Sequence, residues 1–297
     1  MRVQANGLAI EVEDTGEADR PAVLLVMGLG MQLVAWPEAL VHTLHGEGYR
    51  VVRFDNRDAG LSQAFDHLGV PNLLFESLKH RFGLRVSAPY TLHDMAQDTL
   101  GVLDALRIPS AHVVGVSMGG MIAQRVALAA PQRVLSLASV MASSGAAYLP
   151  GPRPHVLRAL LSRPAGHGEE AIVEHTMRFL RVIGSPGFPS DEQQLRQHVR
   201  LATRRSLRPA GTARQTAAVA ADTRRADELP RLRLPTLVLH GQDDPLVPFA
   251  CGQDTARRIR GATLVGVPGM GHDLPPEVVE RLLQALLPHL RQTAIQP

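Results

Sequence analysis

Residues Ala111–Ala130 read AHVVGVSMGGMIAQRVALAA. The first six, Ala111 to Val116, form a valine-rich run too short for a helical period, and Met118, Met121, Ile122 and Val126 then recur at helical spacing. A strand therefore has to turn into a helix across Gly115-Val116-Ser117-Met118-Gly119, a G-x-S-x-G string followed by Gly120. Such a turn strains the backbone of its central residue and presents the hydroxyl of Ser117 at the edge of a sheet. Side chains at Gly115 and Gly119 would collide with the neighbouring strand and helix, which predicts glycine at both. A glycine-rich turn without chemistry, or a phosphate site, would read similarly in isolation. The rest of the chain decides between them.

Upstream, Val3 to Ala5 and Leu8 to Glu13 flank Asn6-Gly7, a hairpin turn dipeptide. Ala22 to Met27 is a fully apolar run, expected of a strand buried on both faces, and it ends in Gly28-Leu29-Gly30. A Gly-x-Gly loop there leaves backbone N–H groups uncovered at the carboxyl edge of the sheet, where ligands of open α/β sheets bind. A helix is predicted over Val34 to His45, then a strand over Arg50 to Phe54 running into Asp55-Asn56-Arg57-Asp58. Asp55 and Arg57 read either as substrate ligands or, the favoured reading, as a structural pair bracing the loop behind the nucleophile. His42 and His45 stand one helical turn apart with no third ligand, so they read as surface residues and not as a metal site. The connection Gln63 to Tyr90 is long and irregular, and Thr91 is a plausible N-cap for a helix reaching Leu106.

Downstream, Val134 to Met141 is a further strand. From Ser143 to Leu229 the alternation gives way to proline-punctuated helices, near 154–161, 169–183, 190–204 and 209–221, which read as an inserted cap. Strand and helix then alternate again through Pro235 to His240, Gln253 to Arg260, Thr263 to Val267 and Pro276 to Leu290, with a tail from Thr293 to Pro297 expected to be mobile. The architecture this implies is α/β: a mostly parallel eight-stranded sheet flanked by helices, with 1–142 and 230–297 as the core and 143–229 as the cap.

A serine hydroxyl needs a base to take its proton, and the base needs a carboxylate to fix its tautomer. Strand Pro235 to His240 runs into Gly241-Gln242-Asp243-Asp244-Pro245, and the next strand ends in Pro268-Gly269-Met270-Gly271-His272. The order Ser117, Asp244, His272 is that of α/β-hydrolases and differs from the two classic serine protease orders. Of the two adjacent acids, resemblance to the Gly-x-x-Asp pattern of that family, read from Gly241, implies Asp244, and Pro245 directly after it restrains its backbone.

Composition narrows the function further. The 297 residues are 45% apolar, and the net charge is only +3. Arginines gather between Arg196 and Arg233, but acids are interleaved and no aromatic stacking residues lie among them; they read as a solvated helical face, and nucleic acid is not an expected partner. No apolar run is long enough to span a membrane, the first residues alternate like a strand, and the single cysteine, Cys251, fits a reducing compartment. A cytoplasmic enzyme is expected.

Nearly the whole chain resembles the α/β-hydrolase superfamily, and the segments VMGLGMQLVAWP and FDNRDAGLS are similar to those of the aclacinomycin methylesterase-like esterases. The resemblance implies Ser117 as nucleophile, His272 as base, Asp244 as its orienter and the backbone N–H groups of Leu29 and Met118 as oxyanion hole. It departs from the common pattern in having Met27-Gly28 where many relatives have His-Gly, and Asp58 where many have glycine. The implied activity is hydrolysis of small hydrophobic carboxylic esters through an acyl-enzyme, with no cofactor. Gly28, Met31, Met141, Phe179, Leu180 and Met270 are the expected substrate contacts, although packing between cap helices is the default reading of Phe179 and Leu180. Proline iminopeptidase-type aminopeptidases, carbon–carbon bond hydrolases, lactonases and acyltransferases share such a triad. An aminopeptidase would need cap acids such as Glu169, Glu170 or Glu174 to hold the substrate amine. A non-catalytic binding protein on the same fold predicts a broken triad.

Overall fold

Strands β1 (Arg2–Ala5) and β2 (Leu8–Asp14) form the opening hairpin, with Asn6 and Gly7 at φ 50° and 75° as its turn requires. In this computed structural model, which describes residues 1–73, 75, 76, 79 and 86–292, the hairpin leads a single sheet. The other strands are β3 (Ala22–Val26), β4 (Arg50–Phe54), β5 (Ala111–Val116), β6 (Val134–Val140), β7 (Thr236–Gly241) and β8 (Thr263–Val267). Their order is β1-β2-β4-β3-β5-β6-β7-β8, antiparallel at β1, β2 and β4 and parallel from β4 onward. This is the expected mostly parallel eight-stranded sheet. The tail 293–297 and residues 74, 77, 78 and 80–85 of the long connection lie outside the described residues.

Flanking helices are α1 (Glu38–Gly46), α2 (Leu92–Ala105), α3 (Met118–Ala129), α9 (Phe249–Arg258) and α10 (Pro276–Gln292). Between β6 and β7 run α4 (Pro154–Leu161), α5 (Glu169–Ile183), α6 (Glu192–Arg205), α7 (Pro209–Ala221) and the single turn α8 (Arg225–Glu228). The sheet alternates its side chains between two apolar clusters, which is why β3 needs no polar face. Val23 and Leu25 pack with Leu40 and Leu44 of α1 and Leu282 and Leu286 of α10; Leu24 and Val26 pack with Met95 and Leu103 of α2 and Ile122 and Val126 of α3. Each such side chain, fully withdrawn from water, contributes about 1.5–3 kcal/mol.

Several boundaries differ from the sequence reading for local reasons. The helix expected from Val34 starts only at Glu38, after a 3₁₀ turn at Leu33–Ala35, because Pro37 offers no N–H and holds Trp36 extended at ψ 125°. The helix expected over Gln253 to Arg260 begins at Phe249, directly after Pro248. Thr91 does cap α2, and Asp94 completes a reciprocal capping box.

The arginine-rich stretch is only partly a solvated face. Arg196, Arg200 and Arg204 of α6 pair with Glu169, Glu170 and Glu174 of α5 at the surface, but Arg214 and Arg225 are each 1% exposed. Arg225 is enclosed by Asp222, Gln124 and the Ser143 carbonyl. Arg214 makes a two-pronged pair with Asp58, 2.8 Å on each side, and also reaches Asp66 and the Gly69 carbonyl. Asp58, at φ 66°, additionally accepts from the Tyr90 hydroxyl and the Phe65 N–H. Burial opposes its charge, yet Arg214 and these donors outweigh it and hold the carboxyl below its ordinary value. The acid that departs from the family pattern thus binds α7 to the β4 loop. Replacing Arg214 by leucine strands a buried carboxylate, so we expect a loss of about 3–5 kcal/mol in urea unfolding. The double variant Arg214→Leu with Asp58→Gly should recover part of it.

Among the described residues, no helix is long and apolar enough to cross a membrane.

Candidate active site

The turn between β5 and α3 holds Ser117 at φ 57° and ψ −121°, a conformation that costs a residue with a Cβ about 1–3 kcal/mol. Backbone bonds on both sides fix it: the Ser117 N–H donates to the Val140 carbonyl at 2.8 Å, and its own carbonyl accepts from Gly120 at 2.9 Å. A Cβ at Gly115 would lie 2.1 Å from the Gly119 carbonyl oxygen, and one at Gly119 would lie 2.0 Å from that of Val26. Both glycines are therefore demanded by close approach, as the sequence reading anticipated.

Two loops from β7 and β8 meet this hydroxyl. His272 Nε2 lies 2.9 Å from Ser117 Oγ, and His272 Nδ1 lies 2.6 Å from Asp244 Oδ2. Asp244 and His272 are buried, while Ser117 is half-buried. The other carboxylate oxygen of Asp244 accepts the N–H groups of Leu246 and Val247 at 2.9 and 2.8 Å. A carboxylate can only accept, so the proton of the imidazole sits on Nδ1 and the lone pair of Nε2 faces the serine hydroxyl. Burial alone would raise the Asp244 carboxyl, but His272 and His240 beside it lower it to about 2. The sign follows from linkage: this contribution to stability is present above the ordinary value of 3.8 and is lost as pH falls through about 2. Asp243, by contrast, is exposed and caps the next loop by accepting the Gly269 N–H at 2.8 Å.

The histidine loop is clasped by the end of α5. His272 N–H donates to the Ile183 carbonyl at 2.7 Å, Gly271 N–H donates to Ser185 Oγ at 2.9 Å, and the Ser185 hydroxyl bonds Asp273. A Cβ at Gly271 would lie 2.4 Å from the Gly184 carbonyl oxygen. Burial raises the Asp273 carboxyl.

Near the serine, Gly28 approaches so closely that a Cβ there would lie 3.3 Å from Ser117 Cβ. The N–H groups of Leu29 and Met118 make no hydrogen bond among the described residues, the first because it lies in the Gly-x-Gly loop and the second because it opens a helix. A negative oxygen beside the serine has two candidate donors there.

The remaining predicted contacts divide by packing. Met31 is 40% exposed, whereas Met141 and Met270 are buried in the cluster that also holds Met27 and Trp36. Phe179 is half-buried, and Leu180 packs against Val173, Met177 and Val199 between α5 and α6, in line with its default reading. Asp55 and Arg57 both brace the β4 loop, but not by pairing with each other. Arg57 is held by Asp98 at 2.5 and 2.7 Å, whereas Asp55 accepts the N–H groups of Leu33 and Leu61 and pairs with Arg205. Asp98, Arg205 and His240 carry no motif: Asp98 and His240 are polar residues inside largely apolar patterns, and Arg205 lies in the polar run Thr203-Arg204-Arg205-Ser206, which reads as surface. His42 is exposed beside Glu38, His45 lies near Glu17, and among the described residues no three metal-binding side chains gather.

The family model described as the alpha/beta hydrolase fold matches residues 21–277. The chain therefore belongs to the alpha/beta hydrolase family. It is 32% identical to rhodomycin D methylesterase DauP of Streptomyces sp. (strain C5), with 94% of this chain and 93% of that protein covered. It is 26% identical to 3-oxoadipate enol-lactonase 2 of Acinetobacter baylyi, over 88% and 85% of the two chains. Among solved structures, the enol-lactonase from Burkholderia xenovorans LB400 superposes with a TM-score of 0.71 at 22% identity, covering 98% of this chain and all (100%) of that one, a likeness of fold.

Proposed function

We propose that this protein is a serine carboxylesterase acting on small hydrophobic esters. The observation that carries the reading is the unbroken relay from Asp244 through His272 to Ser117, at 2.6 and 2.9 Å, beside two free N–H groups. Ser117 Oγ attacks the ester carbonyl as its proton passes to His272 Nε2, and the oxyanion is received by Leu29 and Met118, worth about 3–4 kcal/mol per donor. His272 then gives the proton to the leaving alcohol, and water, deprotonated by the same nitrogen, releases the acid. His272 and His240 hold the Asp244 carboxyl down to about 2, so the carboxylate that orients the imidazole keeps its charge until pH falls toward that value. Residues 143–229 act as the cap and 1–142 with 230–297 as the core, a division supported by the position of α4 to α8 between β6 and β7. A cytoplasmic location goes with this reading.

The likeness to a protein named as a methylesterase supports ester over amide substrates. So does the state of the cap acids. Glu169, Glu170 and Glu174 are each paired with arginines of α6 and are not available to hold a substrate amine. A lactone is an internal ester open to the same attack, and the likeness to an enol-lactonase keeps it as the second reading. A panel of p-nitrophenyl acetate to octanoate, methyl esters of aromatic acids, a five-membered enol-lactone and proline p-nitroanilide tests the choice. Turnover of the open esters is expected, with the anilide inert. Preferential turnover of the lactone installs the second reading, and cleavage of the anilide with inert esters overturns both.

A further inference from the structure

Gln215 is a fully buried amide on α7, and both ends of it are used. Its Oε1 accepts the Gly30 N–H at 2.8 Å, and its Nε2 donates to the Arg57 carbonyl at 2.8 Å. One side chain thus spans the Gly-x-Gly loop after β3 and the charged loop after β4. The same helical turn fits both loops at backbone distance. A Cβ at Gly30, which has φ 67°, would lie 2.7 Å from Thr212 Oγ1, and one at Gly211 would lie 2.2 Å from the Asp58 carbonyl oxygen. A second amide repeats the tie from the other side, since Gln32 Nε2 donates to the Ala202 and Ser206 carbonyls at the end of α6, at 2.7 and 2.8 Å.

We propose that Gln215 is a positioning residue for the oxyanion-binding loop, so that this helix of the insertion completes the active site. The inference rests on the serine-esterase reading, in which the Leu29 N–H receives the oxyanion. By engaging Gly30 N–H, Gln215 pins the Leu29–Gly30 peptide and leaves the adjoining Leu29 N–H as the free donor. A primary amide suits the task because it accepts at one end and donates at the other. Methionine of similar length cannot donate to the Arg57 carbonyl and accepts only weakly from the Gly30 N–H, so both buried backbone groups lose their proper partner and the loop is driven to rearrange. A glutamate accepts as a carboxylate, and burial favours its protonated form, which also donates. Displacement of an oxyanion donor by about 1 Å is enough to cost about 100-fold in rate.

The test compares Gln215→Met, Gln215→Glu and Ser117→Ala on p-nitrophenyl butyrate, with active sites counted by fluorophosphonate labelling. For Gln215→Met, kcat per titrated site is expected to fall about 10- to 100-fold while KM changes less than about threefold. Inhibition by an alkyl trifluoromethyl ketone, which forms an oxyanion on the serine, should weaken in proportion, and inhibition by butyrate should not. Gln215→Glu should return to within about tenfold of the parent. A lowered Tm with kcat per site and ketone affinity unchanged would assign Gln215 to packing alone and overturn the proposal. Full activity in Ser117→Ala instead overturns the esterase reading itself, whereas an inactive Ser117→Ala beside a normal Gln215→Met sinks only this inference. If Gln215→Met does not fold, the Gly30 amide of the unaltered protein decides: hydrogen exchange as slow as in β3 supports the tie, and exchange as fast as in exposed loops overturns it.

Discussion

Ser117→Ala is expected to lower ester turnover by about 10⁵-fold or more while Tm stays within about 2–4 °C of the parent. The first figure follows from the chemistry: with the hydroxyl gone, His272 Nε2 has no proton to take, and only water held near the two N–H groups can attack. The second follows from the structure. Alanine keeps the Cβ and therefore the same strained φ of 57°, and the turn is held by backbone bonds from Ser117 N–H to Val140 and from Gly120 to Ser117, which the substitution leaves in place. Only the side-chain bond to His272 is lost, worth about 1 kcal/mol net. Turnover in a protein purified away from host esterases, the differential melting curve and the loss of the fluorophosphonate adduct are read together. Retained turnover removes Ser117 from the mechanism, and a collapsed Tm would mean that the hydroxyl is structural.

How much of this was legible in the sequence depends on what kind of contact each residue makes. Ser117, Asp244 and His272 each follow a strand, and strand ends are visible as apolar runs that stop at glycine or an acid, so their convergence on one sheet edge could be read from order alone. The glycines were legible for the same reason: Gly115 and Gly119 answer to backbone atoms only a few residues away or on the adjoining strand. The helices between β6 and β7 were bounded by prolines, and three of the four long ones, at Pro154–Leu161, Glu169–Ile183 and Pro209–Ala221, have the limits that the sequence suggested.

What could not be read is which polar groups end up inside. Asp58 and Arg214 are separated by 156 positions, and Gly30 and Gln215 by 185, with no periodicity linking either pair. Arginine on a helix is ordinarily a surface residue, and only the docking of α7 against the β4 loop turns Arg214 into a buried partner. Asp55 and Arg57 illustrate the same limit within a single loop. Their proximity suggested a pair, but Asp55 is directed toward Leu33 and Arg205, and Arg57 toward Asp98 on α2. Local sequence fixes that such groups need partners; the packing of distant elements fixes which.

Asp244→Asn is expected to reduce turnover by about 10⁴-fold, and Asp243→Asn by less than about tenfold. Two backbone donors make the first effect severe. In the parent, Leu246 and Val247 N–H groups both point at Oδ1 of Asp244, and His272 Nδ1–H points at Oδ2. An asparagine must keep its oxygen toward the two N–H groups, because turning the amide would set its NH₂ against them. Its NH₂ therefore faces His272 Nδ1, a donor against a donor, and the ring responds by moving its proton to Nε2. That nitrogen then presents a hydrogen to Ser117 in place of a lone pair and cannot act as base. Asp243 has no such constraint: it is exposed, and the bond its side chain makes among the described residues, from Gly269 N–H, is as well accepted by the oxygen of asparagine. Steady-state kinetics on one ester, per fluorophosphonate-titrated site, separate the two. The reverse ranking would transfer the orienting role to Asp243, and two mild effects would mean that neither carboxylate sets the tautomer of His272.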